Sequence, residues 1–156
     1  MKEQWNKDKL NFIEEMARSC EEAFGLPRMG GRIWAVLLIT DKDQLSAEEL
    51  MHLVHASRGS VSTMVRMLEN IGLVKRVKLR GDRKHYYSSM ESDALIHAEL
   101  NSIKMFVRLM EHGSRILTRE DRRAKQRLDE IRTLMEFFIT EYKTLLERWH
   151  KQKAKQ

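Results

Sequence analysis

Hydroxyl and guanidinium side chains share one face of a short amphipathic segment at residues 57–68, and DNA is the ligand that such a face suits. Val61, Val65 and Leu68 recur at helical spacing and should point inward. The opposite face can then bond phosphates or the edges of bases. The residues expected on that face are Ser57, Arg58, Ser60, Ser62, Thr63 and Arg66, together with Gly59 and Met67.

A second set of cations lies in a tight loop further along the chain. Arg80, Arg83 and Lys84 surround Gly81 and Asp82, and glycine supplies the positive φ that a hairpin tip often needs. This loop could lie along the DNA backbone or enter the minor groove. Asp82 should orient Arg83 or the turn of the loop rather than touch DNA, because a bare carboxylate repels phosphate.

Positive charge is concentrated in the stretch that holds both sets. Residues 57–87 carry eight basic and two acidic side chains, so their net charge equals the +6 of the whole 156-residue chain. The remaining residues are neutral on balance, and the local positive field would attract a polyanion. Charge alone does not decide the function, since a basic hairpin is more often only a solvated surface.

The elements that must position these side chains begin with two short helices. Ser46 and Glu49 have the spacing of a capping box at the start of the first. His55 and Ala56 should form the turn, and Ser57 is the expected N-cap of the second helix.

A stop signal and two short strands follow. Gly72 should end the second helix in a left-handed conformation. Residues 73–79 and 85–87 have strand-forming patterns. Helix, turn, helix and hairpin in this order predict a winged helix-turn-helix, whose second helix usually lies in the major groove.

Helical patterns flank this module on both sides. One helix should span residues 5–24 and end at Gly25, and another should begin at Ser92 and end at Gly113. The expected fold is mainly α with a small β-hairpin. The expected organisation is an N-terminal helix at residues 1–24, a DNA-binding domain at 25–90 and C-terminal helices at 91–156.

The last helical pattern runs for over thirty residues and carries a heptad seam of apolar side chains. A small winged-helix core cannot bury such a seam, so we expect a two-fold homodimer built from the first helix and the last two. The seam residues are Leu128, Ile131, Met135, Phe138, Tyr142, Leu145 and Trp149.

Three motifs resemble the winged helix of MarR-type regulators, and more closely its GbsR/MarR branch. They are residues 25–33 (GLPRMGGRI), residues 56–62 (ASRGSVS), and Gly81-Asp82-Arg83 followed by the tyrosine pair at 86–87. The resemblance implies a homodimeric regulator that binds double-stranded operator DNA, and we interpret it as a repressor. Some members of the branch control osmoprotectant genes.

The same resemblance implies a small-molecule effector site where the DNA-binding lobe meets the dimerisation helices. Aromatic faces can hold a quaternary ammonium by cation–π attraction, which would suit betaine or choline. The alternative, which we favour, is that these side chains simply pack. The candidate residues are Trp5, Phe12, Met16, Met29, Trp34 and Phe106.

Other kinds of site find little support. The chain has no nucleophile elbow, no glycine-rich phosphate loop and no paired-carboxylate motif, so we expect neither catalysis nor a cofactor. His52 and His55 could share a zinc ion, but no third ligand follows at matching spacing. Cys20 lies on an apolar helix face and reads as an inert core thiol rather than a redox sensor.

A cytoplasmic location is expected, without membrane association. The single cysteine cannot form an internal disulfide, no run of about 18 apolar residues is present, and the first residues lack an apolar signal core.

Two other functions stay open at this point. An architectural protein would use the same basic face with little preference between DNA sequences. A helical adaptor would use its winged domain to bind protein, although the basic residues argue against it.

Overall fold

The computed structural model describes residues 5–155, and the chain divides into two compact units, one ending at Glu91 and the other beginning at Ser92. No described helix combines the length and hydropathy that crossing a bilayer would demand. The elements, in chain order, are α1 Lys7–Phe24, α2 Arg28–Ile39, β1 Leu45–Ser46, α3 Ala47–Leu53, α4 Arg58–Asn70, β2 Val74–Val77, β3 Tyr86–Ser89, α5 Ala94–Ile116 and α6 Arg122–Lys153.

Helices α1 and α2 pack closely in the first unit. α1 ends at Gly25, which has a φ of +63° as expected for a left-handed cap. A Cβ atom added to Gly31 of α2 would lie 2.7 Å from the Cα of Ala17, so only glycine allows this approach. Ile13 and Cys20 of α1 are buried in the same core.

Helices α3 and α4 form the expected helix-turn-helix. The Ser46–Glu49 capping box is present in full at the start of α3. The turn places His55 at a φ of 50°, and the Ser57 side chain then caps α4 by accepting from the backbone amide of Ser60. The predicted inward residues Val61, Val65 and Leu68 are each no more than 1% exposed.

The β-sheet formed by the hairpin, called the wing from here on, contains three strands instead of the expected two. β3 pairs antiparallel with both β1 and β2, giving the order β1-β3-β2. The two-residue β1 places Leu45 opposite Tyr87 and joins the wing to the start of α3. β2 is shorter than the predicted strand at residues 73–79, and β3 begins at Tyr86 rather than residue 85. Gly72 has a φ of +81°, as predicted for the end of α4.

The second unit consists of α5 and α6, and α5 corrects one expectation. Gly113 does not end this helix, which begins at Ala94 and continues to Ile116. A Cβ atom at residue 113 would lie 3.0 Å from Cδ1 of Leu128, so the glycine makes room for a side chain of α6. Local helix-breaking tendency is outweighed by this packing. α6 has 32 residues, in agreement with the predicted length.

The heptad seam of α6 is divided between two environments. Leu128, Met135 and Tyr142 are half-buried within the chain. The remaining seam residues are exposed, and they are Ile131, Phe138, Leu145 and Trp149. α5 also exposes large apolar side chains, namely Met105, Phe106, Leu109 and Ile116. The unit therefore presents an apolar surface that its own two helices leave uncovered.

Candidate nucleic-acid interface

The predicted DNA-facing side of α4 is exposed, with two exceptions. Arg58, Ser62, Thr63 and Arg66 lie at the surface. Ser60 is half-buried. Met67, which we expected on this side, packs against the core instead. The polar part of the face therefore forms one surface, while the Met67 side chain is half-buried against the core.

Ser57 has a structural role that its position predicts. Its hydroxyl oxygen accepts from the amide of Ser60 at 3.3 Å, which satisfies one of the unpaired donors at the start of α4. Gly59 has no neighbouring atom within 4 Å of a built Cβ, so the backbone at this end of the helix is open to an approaching group. A phosphate could therefore bind the free backbone N–H groups at the N-terminus of α4.

Asp82 organises the turn of the wing. One carboxylate oxygen accepts from the backbone amide of Lys84 at 2.8 Å, and the other accepts from the hydroxyl of Tyr86 at 2.8 Å. The hydrogen bonds from Lys84 and Tyr86 lower the pKa of the Asp82 carboxyl. These contacts hold the turn itself, the second of the two roles expected for Asp82.

Glu48 lies among the cations predicted to contact DNA. Its carboxylate accepts from Nζ of Lys84 at 2.7 Å, and its other oxygen lies 3.8 Å from Nη2 of Arg58. The hydrogen bond from Lys84 lowers the pKa of Glu48. No local pattern could identify the pair, because 36 positions separate Glu48 from Lys84.

The helix-turn-helix and the wing line a common groove of about 240 Å³. Arg58 enters it from α4, and Arg83 and Lys84 enter it from the wing. The remaining lining residues are Ser46, Ala47, Glu48 and His85. The backbone also joins these parts, since the amide of Ala47 donates to the carbonyl of His85 at 3.4 Å. Cations from two separate elements therefore meet at one concave surface.

Not every cation of the basic stretch is available to a ligand. Nε and Nη2 of Arg76 donate to the two oxygens of Glu69 at 3.2 and 2.9 Å, and its guanidinium lies 5.9 Å from the ring of Tyr87. By contrast, Arg66, Arg80 and Arg83 are exposed and form no ion pair with any residue between 5 and 155. These three arginines are open to phosphates or bases.

The candidate effector residues fall into different environments. Trp34 is buried in the core of the first unit, where Trp5, Met16 and Met29 pack against it as half-buried side chains. Phe12 is exposed on α1. Phe106 is exposed on α5, in the other unit. The burial of Trp34 favours the simpler alternative for this residue, because core side chains surround its ring.

Cys20 is buried, and burial raises the pKa of its thiol. A thiol in this state is a poor nucleophile, in agreement with an inert core role. His52 and His55 are exposed with ring centroids 6.3 Å apart. Across residues 5–155, no three histidine, cysteine or carboxylate side chains come together as a group that could hold a metal ion.

Comparison with known proteins shows to which family the chain belongs. A model described as MarR family matches residues 34–86, and one described as MmpR5-like MarR family transcriptional regulator matches residues 93–152. The HTH-type transcriptional regulator MmpR5 of Mycobacterium tuberculosis is 32% identical over 133 residues, which cover 83% of this chain and 79% of that protein. The chain belongs to the MarR family of transcriptional regulators.

A solved structure agrees with the fold of this MarR-family chain. A crystal structure described as a transcriptional regulator has 30% sequence identity and a TM-score of 0.83, and the match covers 92% of this chain and 99% of that one. Sco3205, a MarR family regulator from Streptomyces coelicolor crystallised in complex with DNA, is more distant. It has 17% identity, a TM-score of 0.44 and coverage of 80% and 81%. The match with a TM-score of 0.83, together with the family membership, confirms the winged-helix, mainly helical fold, and the family is one of regulators rather than enzymes.

Proposed function

We propose that this MarR-family chain is a cytoplasmic homodimeric repressor that binds operator DNA in a sequence-specific manner. The observation that carries the proposal is the exposed basic surface shared by α4 and the wing, on which Arg58, Arg83 and Lys84 line one groove. Hydroxyl groups and Arg66 extend the surface along α4. Arginine can take guanine bidentately, and hydroxyl groups can reach phosphates or base edges.

Each predicted contact has a distinct role in this proposal. Ser62, Thr63 and Arg66 would read or clamp the major groove, with Ser57, Arg58 and Ser60 near the phosphates at the start of α4. Arg80, Arg83 and Lys84 would hold the wing to the DNA backbone. Asp82 would keep the wing turn in shape without touching DNA.

Dimerisation supports this mode of binding. In this proposal, the exposed seam residues of α6 and the exposed apolar face of α5 would be covered by the same surfaces of a second copy. Two recognition helices set about 34–36 Å apart would match one turn of DNA. The assignment of residues 1–24 and 91–156 to dimerisation belongs to the same proposal.

Two finer features of the proposal, the subfamily and the effector, rest only on the resemblance of the sequence to the GbsR/MarR branch. Membership of the GbsR branch and response to a quaternary ammonium effector are predictions. Choline or betaine should quench tryptophan fluorescence saturably if such a site exists. An unchanged spectrum at millimolar ligand would leave packing as the role of Trp5 and Trp34.

Binding of the purified protein to its own upstream DNA and to scrambled DNA, across a salt series, tests the proposal. We expect a preference of about a thousandfold or more for the upstream site, which is typical of specific regulators. Equal and steeply salt-dependent binding to both DNAs would favour an architectural role or an operator elsewhere. Absence of binding at low salt would favour the adaptor.

A further inference from the structure

We propose that Glu48 is a specificity-determining residue that competes with DNA phosphates for the cations of the interface. In the free protein the Glu48 carboxylate forms an ion pair with Lys84 and lies close to Arg58. DNA must either displace the Glu48 carboxylate from these cations or bind with this negative charge close to its phosphates. This inference rests on the proposed function, because it concerns the same surface.

The geometry separates this electrostatic role from a role in folding. The base of the wing is already fixed to α3 by the pairing of β1 with β3 and by the hydrogen bond from Ala47 to His85. The side chains of Glu48, Lys84 and Arg58 are each at least half exposed. Water therefore surrounds the ion pairs, and exposed pairs of this kind add little to stability.

The position of the charge gives it an effect on ligands. Glu48 lines the same groove as Arg58, Arg83 and Lys84, so an anion bound there would approach its carboxylate. Phosphate binding depends on the number of cations that the protein can offer, and Glu48 lowers that number by about one. Binding that relies only on phosphates is the kind most weakened by this residue, whereas contacts to base edges do not depend on it. We therefore expect the ratio of operator to random-DNA affinity to be higher with Glu48 than without it.

Replacing Glu48 by glutamine tests this role, because E48Q keeps the size and the hydrogen-bonding oxygen but removes the charge. We expect E48Q to bind random-sequence DNA about fivefold more tightly at low salt, as the Coulomb energy of one nearby charge in water suggests. Its salt slope should be steeper by about one. The gain at the operator should be smaller, and an equal gain on both DNAs would overturn the role of Glu48 in specificity. The matched control is Glu141→Gln, which makes the same change in net charge at an exposed position of α6.

The following three results would each overturn the proposal. Random-DNA affinity of E48Q equal to or below that of the wild type would remove the competitor role, and a lower affinity would make Glu48 a positioning residue. An equal gain for E141Q would assign the effect to net charge alone. In a double-mutant cycle, the gain from E48Q should shrink when Lys84 is changed to Gln; an unchanged gain would show that Glu48 does not compete for Lys84, and the proposal would fail.

Heparin-agarose provides a readout that does not depend on an operator. E48Q should elute at higher salt than both the wild type and E141Q. Its melting temperature should fall by only a few degrees, because the Glu48 charge in the first turn of α3 also stabilises that helix. If the wild type binds heparin but neither operator nor random DNA, the proposed function fails while this comparison still decides the role of Glu48. If the wild type binds DNA and E48Q elutes with the wild type, only the inference about Glu48 fails.

Discussion

The hydroxyl of Tyr86 donates to the carboxylate of Asp82 across the turn of the wing, with the two oxygens 2.8 Å apart. The same carboxylate accepts from the backbone amide of Lys84 through its other oxygen. The hydrogen bond to Asp82 raises the pKa of the Tyr86 hydroxyl. A single acidic side chain thus shapes a loop whose other charges are positive.

Comparing Asp82→Ala with Asp82→Asn tests whether the hydrogen bonds of Asp82 hold the turn in shape for DNA binding. Both changes remove the negative charge, but asparagine keeps an oxygen that can accept from the Lys84 amide. We expect D82A to bind DNA about two- to tenfold more weakly than D82N, the range that the loss of one or two hydrogen bonds implies. Fluorescence anisotropy with a fixed DNA duplex measures the difference. Equal affinities of the two variants would show that the turn does not need Asp82.

The parts of the molecule that sequence could predict are those defined by short spacings. The Ser46–Glu49 capping box, the Ser57 cap and the inward face of α4 all depend on residues three to seven positions apart, and the structure contains each of them. Gly25 and Gly72 were predictable for the same reason, since a left-handed cap is a local conformation.

The features that were missed depend on contacts between distant residues. Gly113 looked like a helix end, but Leu128 of the neighbouring helix packs against it and α5 continues. Strand β1 has two residues, too few for a periodic pattern, and is defined only by its pairing with β3. The Glu48–Lys84 pair likewise has no local signature.

Arg83 should be free to bind DNA phosphates, because it is exposed in the wing and forms no ion pair within the described part of the chain. We expect Arg83→Ala to weaken binding to all sequences by a similar factor and to lower the salt slope by about one. Titrations at several salt concentrations give the slope. Arg148→Ala on α6 is the control for loss of one positive charge. A slope equal to that of the wild type would contradict this role.

Arg66 should instead discriminate between sequences, because it lies on the exposed face of α4 beyond the phosphate-binding end of the helix. If it touches a base, Arg66→Ala should cost about 1–3 kcal/mol at the operator and much less on random DNA. The measurement is the ratio of the two affinities in wild type and variant. An equal loss on both DNAs would place the guanidinium on a phosphate.

The dimer should depend on the exposed part of the α6 seam. Phe138 is 39% exposed in the single chain, so Phe138→Asp should leave the fold of the protomer intact while placing a charge in the proposed interface. We expect this variant to sediment as a monomer at micromolar concentration and to lose most of its operator affinity, because the two half-sites are no longer bound together. Thr144→Asp adds the same charge outside the seam and should remain dimeric. A monomeric wild type would refute the interface altogether.

Glu49 makes the stability of the first unit depend on pH. Burial acts to raise its pKa, but hydrogen bonds from Lys42 and from Ser46 outweigh that effect and lower the pKa to about 2. Because the folded-state pKa lies below the ordinary value, the carboxylate stabilises the fold at neutral pH, and this contribution is lost as the pH falls from about 5 to about 2. The carboxylate accepts from the backbone amide of Ser46, which is one of the two capping-box hydrogen bonds at the start of α3, and also from the Ser46 hydroxyl.

Glu49→Gln should therefore lower the melting temperature at pH 7 and flatten its decline in acid. The loss at pH 7 should be about 1 kcal/mol, the usual size for a weakened helix cap, with the Lys42 pair adding little because it is partly exposed to water. Thermal unfolding followed by circular dichroism between pH 7 and pH 2 gives both quantities. Glu141→Gln, with the same change in charge on α6, should follow the wild-type curve. If E49Q and wild type decline in parallel, the acid sensitivity must come from other carboxylates, of which Asp93 is the first to test because the hydrogen bond from His150 lowers its pKa.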